Sequence, residues 1–138
     1  MHAVHTTNGL MLHKRGVGEA NTLLFVLTQD LGLVRASARS TRVNVSKLRY
    51  GLEPLTSARY SFVKGRHEWR LVQVEAPHNA FTHALPVHRA AAGRVSQLLL
   101  RLIQGAEHSP LLYKDVVDGF TLLAAAPQLE EDERPGGD

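Results

Sequence analysis

Residues 22–39 have the sequence TLLFVLTQDLGLVRASAR and carry the strongest indication of the fold. The run at 22–28 is apolar, aromatic and β-branched, and it is too short for a typical helix. The Asp-Leu-Gly sequence at 30–32 is typical of a tight turn, because glycine adopts positive φ without strain. After the turn, small apolar residues alternate with polar ones, so that Arg35 and Arg39 share one face of a strand. These features predict a β-hairpin.

Three further segments extend this hairpin into a small sheet. Residues 9–13 alternate weakly and residues 55–63 alternate clearly, with Tyr60 predicted on the buried face. A second tight turn at 64–66 leads into a last strand at 67–75. The predicted fold class is therefore mainly β plus α, an N-terminal five-stranded OB-fold barrel followed by a small helical segment. An SH3-like barrel is the alternative, which periodicity alone does not separate from the OB-fold.

The second half of the chain has helical rather than strand spacing. Apolar residues at steps of three and four run from 87 to 103 behind Pro86, which predicts an amphipathic helix ending near Gly105. The serine and proline at 109–110 suit the N-cap and first turn of a second helix. Pro127 is expected to stop that helix.

The predicted organisation has three parts: an OB-fold domain at 1–76, a truncated helical domain at 77–126 and a disordered acidic tail at 127–138. Charge is divided along the same lines. The first part has 11 Lys and Arg against 5 Asp and Glu, whereas the tail has 1 against 5. The net charge of +3 therefore hides a basic first half, which favours a polyanionic partner.

Composition places the protein among soluble cytoplasmic proteins. Its 138 residues contain no cysteine, so disulfides and cysteine-ligated metal sites are excluded. No apolar run approaches the ~20 residues that a membrane span needs. The N-terminal residues lack the cationic start and apolar core of a signal sequence.

The sequence lacks the patterns that most enzymes and metalloproteins need. It has eight histidines, but none lies in a zinc-binding spacing, and no close pair of carboxylates follows from the sequence. It also has no nucleophile-elbow motif and no phosphate-binding loop. We therefore predict a protein that is not an enzyme and that uses no cofactor and no metal.

The basic side chains are the feature of the sequence that indicates a binding function. The stretch SARSTRVNVSKLRYG at 37–51 carries four cations and no acidic residue. On a barrel of this kind such side chains contact phosphates, while aromatic residues stack on bases. The predicted phosphate-binding residues are Arg35, Arg39, Arg42, Lys47, Arg49 and Arg59, with Tyr50 as the stacking residue. Arg94 and Arg101, seven residues apart on one helix face, are the predicted site for an acidic partner peptide.

Other interpretations of the same residues stay open. Scattered Arg and Lys side chains can simply keep a small barrel soluble. The barrel edge and the helices can dock a partner protein in an adaptor that binds only proteins. An RNA-binding OB module has the same composition as a DNA binder.

Taken in order, four segments resemble the bacterial recombination mediator family RecO. The segment GLMLHKRGVGEANTLLFVLTQDLGLVRASAR at 9–39 is similar to that family's opening strands and hairpin. ARSTR at 38–42 resembles the family's Ala-Lys-Gly-Ala-Arg, and SKLRYGLEPL at 46–55 resembles its Ser-x-Leu-x-Gly-x-Leu-Gln-Pro-Phe. LLLRL at 98–102 followed by SPLLY at 109–113 looks like the family's first helices.

The resemblance implies an N-terminal OB-fold followed by a helical domain. It also implies binding of single- and double-stranded DNA, annealing of complementary strands and loading of recombinase onto coated single strands. The implied partners are RecR and the C-terminal tail of single-stranded-DNA-binding protein. Family members usually have a longer helical domain, often with a four-cysteine zinc site. This sequence is therefore expected to be a shortened form without the zinc-binding cysteines.

Overall fold

The structure is a computed structural model, and it describes residues 3–17, 20–39, 50–103 and 110–127. Five strands come first along the chain, and two helices follow them. The strands are β1 (Val4–Val17), β2 (Asn21–Thr28), β3 (Gly32–Arg39), β4 (Thr56–Lys64) and β5 (Trp69–Asn79). The helices are α1 (Pro86–Leu102) and α2 (Pro110–Ala125). In the part of the chain that is described, neither helix has the length and hydropathy to cross a membrane.

The strands close into a barrel in the order β1-β2-β3-β5-β4. Strand β1 closes it by pairing with β4 through its first half and with β2 through its second half. Strands β3 and β5 pair in parallel, and all the other pairs are antiparallel. This is the topology of an OB-fold, which confirms the leading prediction over the SH3-like alternative.

One hydrophobic core fills the barrel interior. Strand β3 contributes its small alternating residues, whose neighbours Arg35 and Arg39 point to the outside. Tyr60 and Phe62 of β4 are completely buried there, with ring centroids 6.2 Å apart. The Tyr60 hydroxyl donates a hydrogen bond of 2.8 Å to the carbonyl of Gly51, so this buried polar group has a partner. The alternation in the sequence predicted these orientations correctly.

A second core joins the helices to the outside of the barrel. It contains Leu27 of β2 together with Phe81 and Phe120, whose rings meet edge to face at 5.9 Å. Strand β2 therefore packs apolar side chains on both faces, which explains why residues 22–28 form an unbroken apolar run. Leu12 lies in the same core at a β-bulge, where the register of β1 against β2 shifts.

Several predicted boundaries are wrong. Strand β1 is much longer than the predicted 9–13, because its two halves have different partners. Strand β4 begins one residue after the predicted start, since Leu55 has a φ of 73°. Strand β5 runs from Trp69 to Asn79 rather than over 67–75. It passes Pro77 because the register against β4 shifts at that point, and a bulge tolerates a residue without an N–H group.

The helix predictions match the structure more closely. Helix α1 begins at Pro86 as predicted, and α2 begins at Pro110 and ends before Pro127. Helix α1 ends at Leu102, three residues before Gly105, near which its end was predicted. The predicted N-cap Ser109 and the acidic tail beyond residue 127 lie outside the described residues. The division of the chain at residue 76 stays a prediction.

Candidate nucleic-acid interface

The outer face of β1, β2 and β3 presents three cross-strand rows of side chains. Strand pairing aligns each row, and successive rows lie about 7 Å apart, two residues along a strand. The three rows are His13–Phe25–Arg35, Arg15–Leu23–Ser37 and Val17–Asn21–Arg39. Each row therefore contains one arginine, and the three arginines lie on one face although they come from two strands.

The β4–β5 turn adds cations beside the same face. Arg70 of β5 pairs with Ser37, so the second row continues across a fourth strand. Lys64, Arg66 and Arg70 also line a small cleft of about 340 Å³ together with Ser37. We call the exposed cations of this surface the cationic face: Arg15, Arg35, Arg39, Lys64, Arg66 and Arg70.

Among the described residues, no cation of the cationic face forms an ion pair with a carboxylate. The ion pairs found there are Lys14–Glu53 and Lys114–Asp118, each at 2.8 Å, and both lie away from this face. In the described lining of the two clefts that the face borders, Glu68 is the one acidic residue, and it is exposed. Such a surface produces a positive potential that attracts polyanions.

Aromatic rings lie directly beside these cations. The Phe25 ring is half-buried between the His13 ring, at 5.9 Å between centroids, and Arg35, whose Cζ is 6.0 Å from the Phe25 centroid. The Lys64 Nζ lies 4.6 Å from the centroid of the Trp69 ring. Both arrangements are within the range of cation–π attraction.

These aromatic and basic groups border a common cleft of about 630 Å³. The outer face of β1 to β3 forms its floor, and Lys64 and Trp69 border it at the β4–β5 turn. On the helical side it is bordered by Leu100 and Ile103 at the end of α1. We call this space the barrel–helix cleft. It combines apolar walls with cations at the rim.

The structure brings together some of the predicted site residues but not all of them. Arg35 and Arg39 share the outer face of β3, about 13 Å apart along the strand. Arg59 lies on β4, which is the next strand after β3 along the chain. In the barrel the two strands are not neighbours, because β5 lies between them. There Arg59 is aligned with Asn8 and Glu75, away from the two arginines of β3. Tyr50 is exposed, and Arg42, Lys47 and Arg49 lie outside the described residues.

The two predicted partner-binding arginines lie on α1 beside exposed apolar residues. Arg94 and Arg101 are both exposed. Leu98 is four residues after the first and three before the second, so it lies between them on the helix surface. Leu98 and Leu102 are 53% and 68% exposed, and Val95 is also exposed. This helix face therefore joins two cations to an apolar surface.

The cationic face and the barrel–helix cleft include four residues that were not among the predicted site residues: Arg15, Phe25, Lys64 and Trp69. Arg15 lies past the predicted end of the first strand, and Phe25 was hidden in a run that is apolar on both faces. Lys64 and Trp69 reach the cleft because the barrel closes between β3 and β5. The clustering of Arg and Lys around 64–70 was the sequence signal that could have found this side of the site. Within the described ranges, no three His, Asp or Glu side chains are grouped closely enough to hold a metal ion.

Comparison with known protein families shows to which family this barrel belongs. The profile of the family described as Recombination protein O N terminal matches residues 1–79, more than half of the chain. The chain belongs to the RecO family.

Relatives named DNA repair protein RecO align with both the barrel and the helices. The protein of Heliobacterium modesticaldum is 31% identical over 128 residues, which cover 90% of this chain and 45% of that relative. The relative from Desulfitobacterium hafniense is 29% identical over 129 residues, covering 91% and 47%. The relative from Pasteurella multocida is 29% identical over 127 residues, covering 89% and 51%. The chain thus spans about half the length of the RecO relatives that it matches.

Proposed function

We propose that this protein is a DNA-binding recombination mediator that acts in DNA repair through binding rather than catalysis. It binds single- and double-stranded DNA, anneals complementary strands and assists recombinase loading on coated single strands. One observation carries the proposal: on an OB barrel of the RecO family, six exposed cations form one face without ion-pair partners among the described residues.

The geometry supports contact with the sugar–phosphate backbone. Arg15, Arg35 and Arg39 come from three rows of one surface, so a strand that crosses the rows meets a cation at each of them. Contacts with phosphates fix the register of a nucleic acid but carry no sequence information. We therefore expect little sequence preference, which suits a protein that must act on any strand. Annealing further requires that two strands be held with their bases free to pair.

The partner interactions belong to the same proposal. We assign RecR and the acidic C-terminal tail of single-stranded-DNA-binding protein as partners, and the cytoplasm close to the nucleoid as the location. The face of α1 that joins Arg94 and Arg101 to Leu98 offers charge and apolar surface to an acidic peptide. The exposed apolar residues of this helix also favour the second candidate function, an adaptor that binds only proteins.

Strand annealing with coated DNA tests the proposal. The variant Arg15→Gln with Arg39→Gln removes two cations from the cationic face and leaves the barrel interior untouched. We expect the annealing rate and the affinity for an oligonucleotide to fall at least tenfold, since each arginine contacts a phosphate. The matched control, Arg94→Gln with Arg101→Gln, removes the same charge from α1 and should leave DNA affinity within twofold. Equal losses of oligonucleotide affinity in the two double variants would show that only net charge matters and would reject the assigned surface.

A further inference from the structure

We infer that the barrel–helix cleft is a slot for one unpaired nucleobase, so that the protein holds single strands by a base as well as by phosphates. This inference rests on the proposed function. Its ligand is a nucleotide within a single strand, with the base in the cleft and the neighbouring phosphates on the cationic face.

The walls of the cleft suit a planar ring. Phe25 lies on its floor, half-buried, and Leu33 of β3 borders the same space. On the opposite side Leu100 of α1 and Ile103, the residue that follows this helix, present aliphatic surface. Base stacking on an aromatic residue is the sequence-tolerant contact that single-strand binders use, because every base has a π-face. Phe25 is therefore the expected stacking residue, and the end of α1 covers the other face of the base.

The position of Trp69 gives it a role in the slot that differs from the stacking role of Phe25. One face of its ring lies under the Lys64 ammonium at 4.6 Å, and its edges meet the rings of His5 and Phe62 at 5.2 and 6.3 Å. These contacts leave Trp69 as a side wall rather than a stacking platform. Phe25 is covered more loosely: the Arg35 Cζ lies 6.0 Å from its centroid, at the outer limit of cation–π attraction, and the tilted His13 ring lies 5.9 Å away.

The size and charge of the cleft fit a nucleotide. Its volume of about 630 Å³ lies within the roughly 300–1,000 Å³ of pockets that bind small molecules and cofactors. Arg15, Arg35 and Lys64 all border it, so a base held inside has cations near its own phosphate and the next ones. Glu68 also borders the cleft, and its carboxylate is an acceptor suited to the amino group of a base.

The helical wall gives the slot its selectivity. A base can pass between Phe25 and α1 only when it is not stacked and paired inside a duplex. Duplex DNA would therefore meet the cationic face alone, whereas a single strand would also fill the slot. The same difference lets a strand leave the slot when its complement pairs with it, as annealing requires.

The single tryptophan of the chain makes this inference testable, because Trp69 borders the slot. Three oligonucleotides of one length serve as probes: a single strand, the same strand with abasic positions throughout, and a duplex. Anisotropy of a labelled oligonucleotide reports binding, and Trp69 fluorescence reports occupation of the slot. We expect the intact strand to bind about fivefold or more tightly than the abasic strand and to change Trp69 emission, which the other two probes should not do.

Two variants test whether the preference for the intact strand over the abasic strand depends on the slot. Phe25→Leu keeps an apolar side chain but cannot stack, and Ile103→Glu places a charge in the opposite wall, at a half-buried residue that packs against the second core. Each should abolish the preference for the intact strand over the abasic one, while the affinity for duplex stays within twofold. Thermal unfolding of each variant shows whether it is folded.

The possible outcomes separate the two proposals. Equal binding of intact and abasic strands, with unchanged Trp69 emission, would overturn the slot and leave phosphate binding intact. Failure of all three probes to bind would overturn the proposed function and the slot together. A change of Trp69 emission with free nucleoside monophosphate but with no strand would show a site for free nucleotide, which also overturns the single-strand slot.

Discussion

Gly9 of β1 lies against tightly packed side chains of the barrel interior. A Cβ atom at this position would lie 2.7 Å from Val26 Cγ1 and 2.9 Å from Tyr60 Cδ2. Both neighbours are completely buried, so neither can move away without disturbing the core. We expect Gly9→Ala to lower the free energy of unfolding by about 1–3 kcal/mol.

Gly16 is the matched control for this substitution, since it lies in the same strand and a Cβ there meets nothing within 4 Å. Urea unfolding of the two variants should show a loss for Gly9→Ala and little or no loss for Gly16→Ala. Equal stabilities would mean that the barrel interior is looser than its packing indicates.

Tyr60 makes the free energy of unfolding depend on pH in the alkaline range. Burial, with a smaller contribution from Tyr113, raises the pKa of Tyr60 above its ordinary value of 10. The folded protein therefore keeps a proton that the unfolded chain loses, so this stabilisation is complete below pH 10 and is lost as the pH rises further. The free energy of unfolding should fall by up to about 1.4 kcal/mol per pH unit above pH 10.

The variant Tyr60→Phe tests this dependence. At neutral pH it should cost about 1–2 kcal/mol, because the buried carbonyl of Gly51 loses its hydrogen bond. Above pH 10 its stability should fall less steeply than that of the wild type. Some slope will remain, since burial also raises the pKa of Tyr113. Parallel curves for wild type and variant would exclude Tyr60 as the titrating group, and Tyr50→Phe on the surface provides the control.

Strands β2, β3 and β4 could be predicted from the sequence, whereas the bounds of β1 and β5 could not. The alternation of β3 follows directly from its inward small residues and outward arginines. Strand β1 is different, because it changes partners midway and contains the bulge at Leu12, so no single period describes it. The end of β5 was not predicted, because a proline such as Pro77 normally indicates that a strand has ended, whereas here a bulge accommodates it.

Phe120 is the buried residue of α2 and forms an aromatic pair with Phe81. Phe120 is 6% exposed and meets Phe81 edge to face at 5.9 Å, in a core that also contains Leu10, Leu27 and Ala92. We expect Phe120→Ala to lower the free energy of unfolding by about 3 kcal/mol. Leu122→Ala, two residues away and 75% exposed, should change it by less than about 0.5 kcal/mol. Thermal unfolding measures both, and a small effect of Phe120→Ala would mean that α2 is not held by this contact.

The interface as a whole was only partly predictable, because barrel closure assembles it. Arg35 and Arg39 follow from the period of a single strand. Arg15 and Lys64 reach the same surface through pairing between residues far apart in the chain, which local patterns do not contain. The prediction that Arg59 continues the surface of β3 assumed that strands adjacent in sequence are adjacent in space. The Greek-key order, which places β5 between β3 and β4, makes that assumption wrong.

The salt dependence of DNA binding distinguishes a mediator that grips phosphates from an adaptor that binds only proteins. Contacts with about five phosphates of a single strand predict a slope near −3.5 in a plot of log affinity against log salt concentration. Each phosphate-binding arginine that is replaced by glutamine should make the slope less negative by about 0.7. Arg15→Gln and Arg39→Gln should each show this change, whereas Lys114→Gln on α2, whose cation is already paired with Asp118, should not. An affinity that is indifferent to salt would instead favour the adaptor, because counterion release accompanies binding only where cations of the protein replace those condensed on the strand.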